Sequence, residues 1–364
     1  MQTSQTVTSP PSAPATNPHV PPPPNTPFHD CPILVWMLSL NREATKEEYE
    51  ACYSVVKETF NLSIPYDPTS AESFRRCITQ MLPLLMMRHR RIPRAKWKDF
   101  KTPSGKHWIE QSPEDMSPEK FLHSMIGYHL TYSESLCGMA MTQGTQRKVV
   151  NIGIGVRRIE VEPREYPPEP MLRVYRTRSV TRCLSYKPRG SDRLPCLSPL
   201  PSCPCISTLP PPPPSRTQLT PKEMELILKP SNSDEVVLRR ISIVLTLKEA
   251  YNHAVGQPVG FDYSRLEFIV EGSHPSHGAT DVTPYALGDG IPLQGWEFRL
   301  FKAHLGVARQ DQLSEESYQC VCAFFRGTRG ESRFIWYNSE KELESWVQFI
   351  NIDQMIKVIP KLMA

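Results

Sequence analysis

The sequence predicts an α+β protein of several segments, in which a mainly helical region and a β-rich region are joined by a proline-rich linker. Two observations lead to this prediction. The chain has 38 prolines among 364 residues, and they cluster. Outside the clusters, apolar residues recur first at helical spacing and later in strand-like runs. A chain of this length can hold two domains with linkers. We expect four segments, namely 1–27, 28–161, 162–221 and 222–364.

Two of these segments are predicted to be disordered, because proline runs coincide there with a loss of apolar periodicity. Residues 1–27 are rich in Ser, Thr, Pro and Ala and include the run 21–24. Residues 162–221 include a second run at 210–214. Such runs favour polyproline II, which SH3 and WW modules bind, and a plain solvated tail is the alternative.

The first folded region, 28–161, is predicted to be mainly helical. Thr45 and Glu48 have the spacing of a capping box, and apolar residues then repeat at three and four positions. A second helix begins near Ser70 and is kinked by Pro83. A third begins at Ser117, which can cap it, and continues to residue 130. Two strands are expected at the end of the region, at 149–154 and 156–161.

The last region, 222–364, is predicted to be a β-rich domain closed by a helix. A short helix is expected from Thr246 to His253, with Glu249 in its capping box. A final helix is capped by Ser339 and directs Trp346 inward. The strands are expected at 224–228, 236–245, 266–270, 296–301, 318–325 and 333–337.

Residues 318–352 resemble the end of a pleckstrin-homology domain, where two strands lead into a helix that carries a tryptophan. The strand at 333–337, the cap at Ser339 and Trp346 fit that pattern, and the resemblance implies that Trp346 is a structural plug. The loop that would bind lipid is acidic here, so phosphoinositide binding is not implied. The element order over 223–270 is similar to a β-grasp of the Ras-association or ubiquitin type, which is the competing assignment.

The densest charge feature is a basic stretch with aromatic residues between its cations. Trp97 and Phe100 lie within it, which suits phosphate contact combined with base stacking. An anionic membrane surface and a nuclear import signal are further interpretations. The alternative is a solvated helix end whose cations favour the helix dipole. The cations are Arg88, Arg90, Arg91, Arg94, Lys96, Lys98 and Lys101.

No catalytic, cofactor or metal motif is recognised. Gly153 and Gly155 form a G-x-G fragment that lacks the further glycine and helix of a phosphate loop, so a turn or kinked strand is expected. His274 and His277 lack further ligands at metal-binding spacing. The cysteines of the linker match no common zinc finger, and free thiols are expected; they are Cys183, Cys196, Cys203 and Cys205.

These observations predict a non-enzymatic adaptor or scaffold that binds other proteins and needs no cofactor. A nucleic-acid-associated protein that uses the basic stretch 88–101 is the alternative. The net charge of +4 is too small to indicate nucleic acid or membrane by itself. No run approaches the roughly 18 apolar residues of a membrane span, and no signal peptide is recognised. We therefore expect a cytoplasmic location, with the nucleus as alternative.

Overall fold

The fold was analysed in a computed structural model, which describes residues 32–60, 64–159, 218–229, 232–257, 260–270, 283–309, 312–327 and 330–362. Over these residues the protein is a mixture of helices and several sheets, which agrees with the predicted α+β class. The predicted disordered segment 1–27 and most of 162–221 lie outside the described residues. So do the four linker cysteines, His274 and His277.

The helices and strands follow one another along the chain without separation into an α part and a β part. In chain order they are β1 (Ile33–Ser39), α1 (Lys46–Phe60), α2 (Ala71–Gln80), α3 (Leu82–His89), β2 (Trp97–Lys101), β3 (His107–Gln111), α4 (Pro118–Leu122), β4 (Met125–Ser133), β5 (Leu136–Gly144), α5 (Gln146–Val149), β6 (Ile152–Ile159), α6 (Pro221–Ile227), α7 (Asp234–Val255), β7 (Leu266–Ile269), β8 (Tyr285–Gly288), β9 (Ile291–Pro292), β10 (Trp296–Arg309), β11 (Gln312–Phe325), β12 (Arg333–Trp336), α8 (Glu340–Leu343), β13 (Val347–Asn351) and α9 (Ile352–Val358).

Three sheets are formed within the described residues. The largest has the strand order β13-β1-β5-β4-β3-β2, the second has the order β12-β10-β11-β6, and the smallest is β7-β8-β9. Two strands pair with partners that are distant in the chain. β6 pairs antiparallel with β11, and β13 pairs parallel with β1. The sheets are therefore built from both of the regions that the sequence separates at 162–221.

The helix starts of the first region are confirmed, whereas its predicted mainly helical character is not. The amide of Thr45 donates to Glu48 Oε2 at 2.9 Å, so the capping box is present. Ser70 and Ser117 cap α2 and α4, and Pro83 lies where α2 gives way to α3. However, α4 ends at Leu122, and the predicted rest of that helix is the strand β4. β4 and β5 are largely buried, so the alternation that signals a half-exposed strand is absent.

The predicted strands at 224–228 and 236–245 are wrong, because both segments are helical. The first belongs to α6 and the second to α7, which has 22 residues. Ser233 caps the start of α7, and Gly256 ends it with φ 75°. The β-branched residues of α7 favour strands intrinsically, but burial on several sides of the helix overrides that preference. Thr246 consequently lies inside the helix and donates to the Ser242 carbonyl at 2.6 Å.

The predicted final helix is divided into α8, β13 and α9. Ser339 does cap α8, since it accepts from the Glu342 amide at 3.4 Å, but α8 has only four residues. Trp346 lies in the following turn and is 5% exposed. Its ring contacts Phe301 and Tyr337 at centroid distances of 5.4 and 4.8 Å. The indole is thus buried, and its action as a structural plug stays a prediction.

Within the described residues, one apolar cluster lies between the largest sheet and α1–α3, and another lies between α7 and the second sheet. The cysteines within the described residues are free and buried; they are Cys52, Cys77, Cys137, Cys320 and Cys322. Among the helices described, none is long and apolar enough to cross a membrane.

Candidate functional site

A strand and a helix pack closely where β6 lies on α7. A Cβ placed on Gly153 would lie 2.4 Å from the carbonyl oxygen of Ala250, and one on Gly155 would lie 2.7 Å from that of Thr246. Only glycine fits at these two positions without a shift of the backbone. The G-x-G fragment is therefore part of a strand that packs on a helix, which agrees with its interpretation as strand structure. We call the surroundings of this contact the β6–α7 junction.

Two histidines stack at the β6–α7 junction. His129 of β4 and His253 of α7 have ring centroids 4.3 Å apart and an interplanar angle of 25°. His253 Nδ1 donates to the Ile154 carbonyl at 2.9 Å, while His129 Nδ1 accepts from the Ile154 amide at 3.5 Å. The backbone of one residue thus holds both imidazoles. Burial is the main cause that lowers the pKa of His129 well below 6.5, and the neighbouring His253 adds to it.

Charged groups occupy the same junction. Arg157 of β6 and Glu249 of α7 form an ion pair at 3.5 Å, and both side chains are largely buried. Lys106 donates from Nζ to Asn151 Oδ1 at 2.7 Å, just before β6 begins, and burial lowers the pKa of this lysine. A carboxylate, two cations and two imidazoles therefore lie along the β6–α7 contact, with Lys106 at the start of β6 and the pair of Arg157 and Glu249 further along it. Such a set can bind an anion and accept a proton.

A metal centre is not evident from the donor groups. Over the described residues, no group of three or more His, Cys, Asp or Glu side chains is placed to hold a metal ion. Glu249 is engaged by Arg157, and each of the two histidines directs Nδ1 at the Ile154 backbone.

We compared the sequence with known proteins. No family profile matches it. The chain is similar to the 4'-phosphopantetheinyl transferase pptA of Paxillus involutus, with 26% identity over 263 residues. The similar stretch covers 72% of this chain and 75% of the relative.

This similarity overturns the prediction of a non-enzymatic adaptor. The relative is an enzyme, and 263 aligned residues exceed the length of either predicted folded region. The adaptor function, its nucleic-acid-associated alternative and the SH3 or WW partners are therefore wrong. They followed from the proline runs and the lack of a recognised catalytic motif, and neither observation excludes an enzyme.

The predicted basic stretch does not form one surface. Arg90 turns inward and donates from Nη1 to Gln143 Oε1 at 2.6 Å, and burial lowers its pKa. Lys98 and Lys101 are exposed on β2, and Lys96 is exposed just before it. The remaining members, Arg88, Arg91 and Arg94, line a cavity. An anion contact by these residues stays a prediction.

Sequence patterns do not single out the residues of the β6–α7 junction. Glu249 has the spacing of a capping-box residue, because the sequence predicts a strand and a short helix where the structure has α7. His129 and His253 are too far apart in the chain for any spacing rule to join them. The signal that the sequence does contain is the G-x-G fragment. Glycine inside a strand often marks a place where another backbone approaches closely.

Because His129 is buried in this stack, we expect the free energy of unfolding to depend on pH. The unfolded state takes up a proton on His129 below about pH 6.5, whereas the folded state does so only at lower pH. Stability is therefore lost as the pH falls from about 6.5 toward the folded pKa, by at most about 1.4 kcal/mol per pH unit from this group. We expect His129→Phe to reduce that loss when the free energy of unfolding is measured from pH 7 to 5.

The exposed His304 of β10 provides the matched control. His304→Phe should keep the pH dependence of the unchanged protein. If the free energy of unfolding changes with pH equally steeply in His129→Phe and in the unchanged protein, the His129 imidazole is not the source of the pH dependence.

Proposed function

We propose that the protein is a transferase that moves a 4'-phosphopantetheinyl group from a phosphate-linked donor to a hydroxyl group of an acceptor protein. The observation that supports this proposal is the similarity to a 4'-phosphopantetheinyl transferase over 72% of the chain. A stretch of that length must include parts of both regions whose strands and helices meet at the β6–α7 junction. The proposed active site is this junction.

The charges of the junction suit a phosphate-linked donor. Lys106 and Arg157 supply cations beside β6, and both are partly withdrawn from water. Cations in such surroundings interact more strongly with a phosphate than cations in bulk water do. Phosphoryl transfer relies mainly on positioning and on electrostatic stabilisation of the phosphoryl oxygens. We assign donor binding to these two residues.

Glu249 is the base in the proposed reaction. The acceptor hydroxyl oxygen forms a bond to the phosphorus of the 4'-phosphopantetheinyl group, and the bond from phosphorus to the leaving-group oxygen breaks. The leaving group departs with that bonding pair, and the hydroxyl proton passes to the Glu249 carboxylate. Contact with Arg157 at 3.5 Å orients the carboxylate before substrate binds.

The proposal is tested by transfer of the group to a carrier protein. The purified full chain is incubated with Mg²⁺, a carrier protein and coenzyme A, which contains 4'-phosphopantetheine, and the carrier is weighed by mass spectrometry. We expect a mass increase of one 4'-phosphopantetheinyl group. Glu249→Gln should lower the rate by roughly 100-fold or more, as loss of a general base does.

Glu315 is exposed on β11 and provides the control. Glu315→Gln should transfer at the rate of the unchanged protein, and both variants should unfold at similar temperatures. Absence of the mass increase with a panel of carrier proteins would contradict the proposed function. An unchanged rate for Glu249→Gln would contradict only the role of this residue.

A further inference from the structure

A second group of cations surrounds a cavity that the proposed function does not use. The cavity has a volume of about 310 Å³ and lies between the end of α3 and the beginning of β2. None of the residues that line it belongs to β6 or α7. Its polar wall consists of Arg88, Arg91 and Arg94, and its apolar wall includes Leu84, Met87 and Trp97.

The three arginines line the cavity without an opposing carboxylate. No aspartate or glutamate is among the described residues that line it. Nor does any of the three arginines form an ion pair with a described residue. Like charges that converge on one space repel each other, and an anion in that space would relieve the repulsion. The arrangement therefore favours a negatively charged occupant.

Two of the arginines are held in place by backbone carbonyl groups. Arg94 lies over the Trp97 ring, with Cζ 4.2 Å from the centroid, and donates from Nη1 to the Trp97 carbonyl at 2.8 Å. Arg88 donates from Nη1 to the Lys361 carbonyl at 2.5 Å. A guanidinium group has five N–H donors, so each of the two retains donors for a ligand.

Arg91 differs, because its backbone is strained and its side chain is uncommitted. Its φ is 58°, in the left-handed region that side-chain-bearing residues rarely adopt. Its amide donates to the Arg88 carbonyl at 2.8 Å, which ends α3. The side chain has no hydrogen bond or ion pair to any residue that the structure describes. Backbone strain of this kind concentrates at ligand-binding sites.

The apolar wall narrows the class of ligand. Leu84, Met87 and Trp97 are at most 3% exposed, so they form the floor of this wall. Its apolar surface open to water comes from Ile92, which is half-buried, and Pro93, which is exposed. Inorganic phosphate would use the arginines and leave this wall in contact with water. An organic phosphate would contact both the arginines and the apolar wall. Its apolar part would be buried against the wall, and its phosphate would accept hydrogen bonds from the guanidinium groups.

We propose that this cavity binds a small organic phosphate, with its phosphate group held by Arg88, Arg91 and Arg94 and its apolar or aromatic part against Ile92 and Pro93. The volume is at the lower end of the range for small-molecule sites, which fits a compact phosphate monoester. The site is distinct from the β6–α7 junction and does not depend on the proposed transfer reaction.

Isothermal titration calorimetry on the full chain tests the proposal with three probes. We expect phenyl phosphate to bind more tightly than inorganic phosphate, and phenol to bind more weakly than either. Arg91→Gln removes one uncommitted guanidinium and should weaken phenyl phosphate binding by on the order of tenfold or more. Raising the salt concentration should weaken binding to the unchanged protein.

Lys98→Gln and Lys101→Gln are matched controls, since each removes one exposed positive charge from β2 outside the cavity. Both should bind phenyl phosphate as the unchanged protein does. Glu249→Gln should also bind it normally, which separates this site from the proposed transferase activity. The proposal is overturned if phenyl phosphate does not bind at millimolar concentration, if Arg91→Gln binds it unchanged, or if phenol binds equally well.

Discussion

Replacement of Lys248 by methionine is expected to lower the free energy of unfolding by about 3–5 kcal/mol, because it leaves a buried carboxylate without its partner. Lys248 Nζ lies 2.6 Å from Glu223 Oε2, and both side chains are fully buried. The ammonium also donates to the carbonyl groups of Gln218 and Tyr263 at 2.9 and 3.0 Å. Chemical denaturation followed by circular dichroism measures the loss.

The reason for so large an effect is the desolvation of both charges. Burial lowers the pKa of Lys248 and raises that of Glu223, so the surroundings disfavour each charged form. Only mutual contact and further hydrogen bonds offset this cost. Glu223 accepts from the amides of Thr220 and Phe268, both at 2.7 Å. The pair therefore connects the segment before α6, the helix α7 and the start of β7.

A double variant separates this explanation from a simple loss of packing. Lys248→Met combined with Glu223→Gln removes both charges and should recover a substantial part of the lost stability. Lys357→Met changes an exposed lysine of α9 and should alter stability by less than about 0.5 kcal/mol. If the double variant is less stable than Lys248→Met, the unpaired charge is not the cause of the loss.

Gly153→Ala is expected to destabilise the protein by about 3 kcal/mol or more, or to prevent folding. The added Cβ would lie 2.4 Å from both the Ala250 carbonyl oxygen and the Ala254 amide nitrogen. Both are backbone atoms, so no side-chain rotation relieves the clash, and α7 must move away from β6. The free energy of unfolding, or the yield of folded protein, gives the measurement.

Gly306→Ala makes the same substitution in the strand β10 and is the control. There the added Cβ would lie 3.6 Å from Leu313 Cδ1, an ordinary contact with a flexible side chain. This variant should be nearly as stable as the unchanged protein. Equal stability of the two alanine variants would show that β6 and α7 do not pack as closely as described.

The sequence identified local structure where a side chain acts on its own neighbourhood. The caps at Thr45, Ser70, Ser117 and Ser339 are present because each satisfies amides within three residues. The helix α7 is not predicted, because its β-branched residues favour a strand locally, whereas the burial that stabilises the helix comes from distant parts of the chain.

The candidate site was beyond the reach of local rules. The ion pair of Arg157 and Glu249 joins a strand and a helix that are separated by the linker. The basic stretch was recognised as a charge feature, but the inward turn of Arg90 depends on Gln143 at the end of β5. Both contacts depend on the order of the strands in the sheets. The apolar patterns of β4 and β5 do not indicate that order.

The pairing of β1 with β13 has a consequence for the order of events in folding. Ser39 of β1 donates from Oγ to the Ile350 carbonyl across 311 positions of the chain. A ribosome adds about 5–20 residues per second, so one edge of β1 remains unpaired for many seconds until β13 is synthesised. Contacts of such high sequence separation slow folding, and an open strand edge can pair with another chain in the meantime. The nascent chain therefore carries this open edge of β1 until Val347–Asn351 is synthesised.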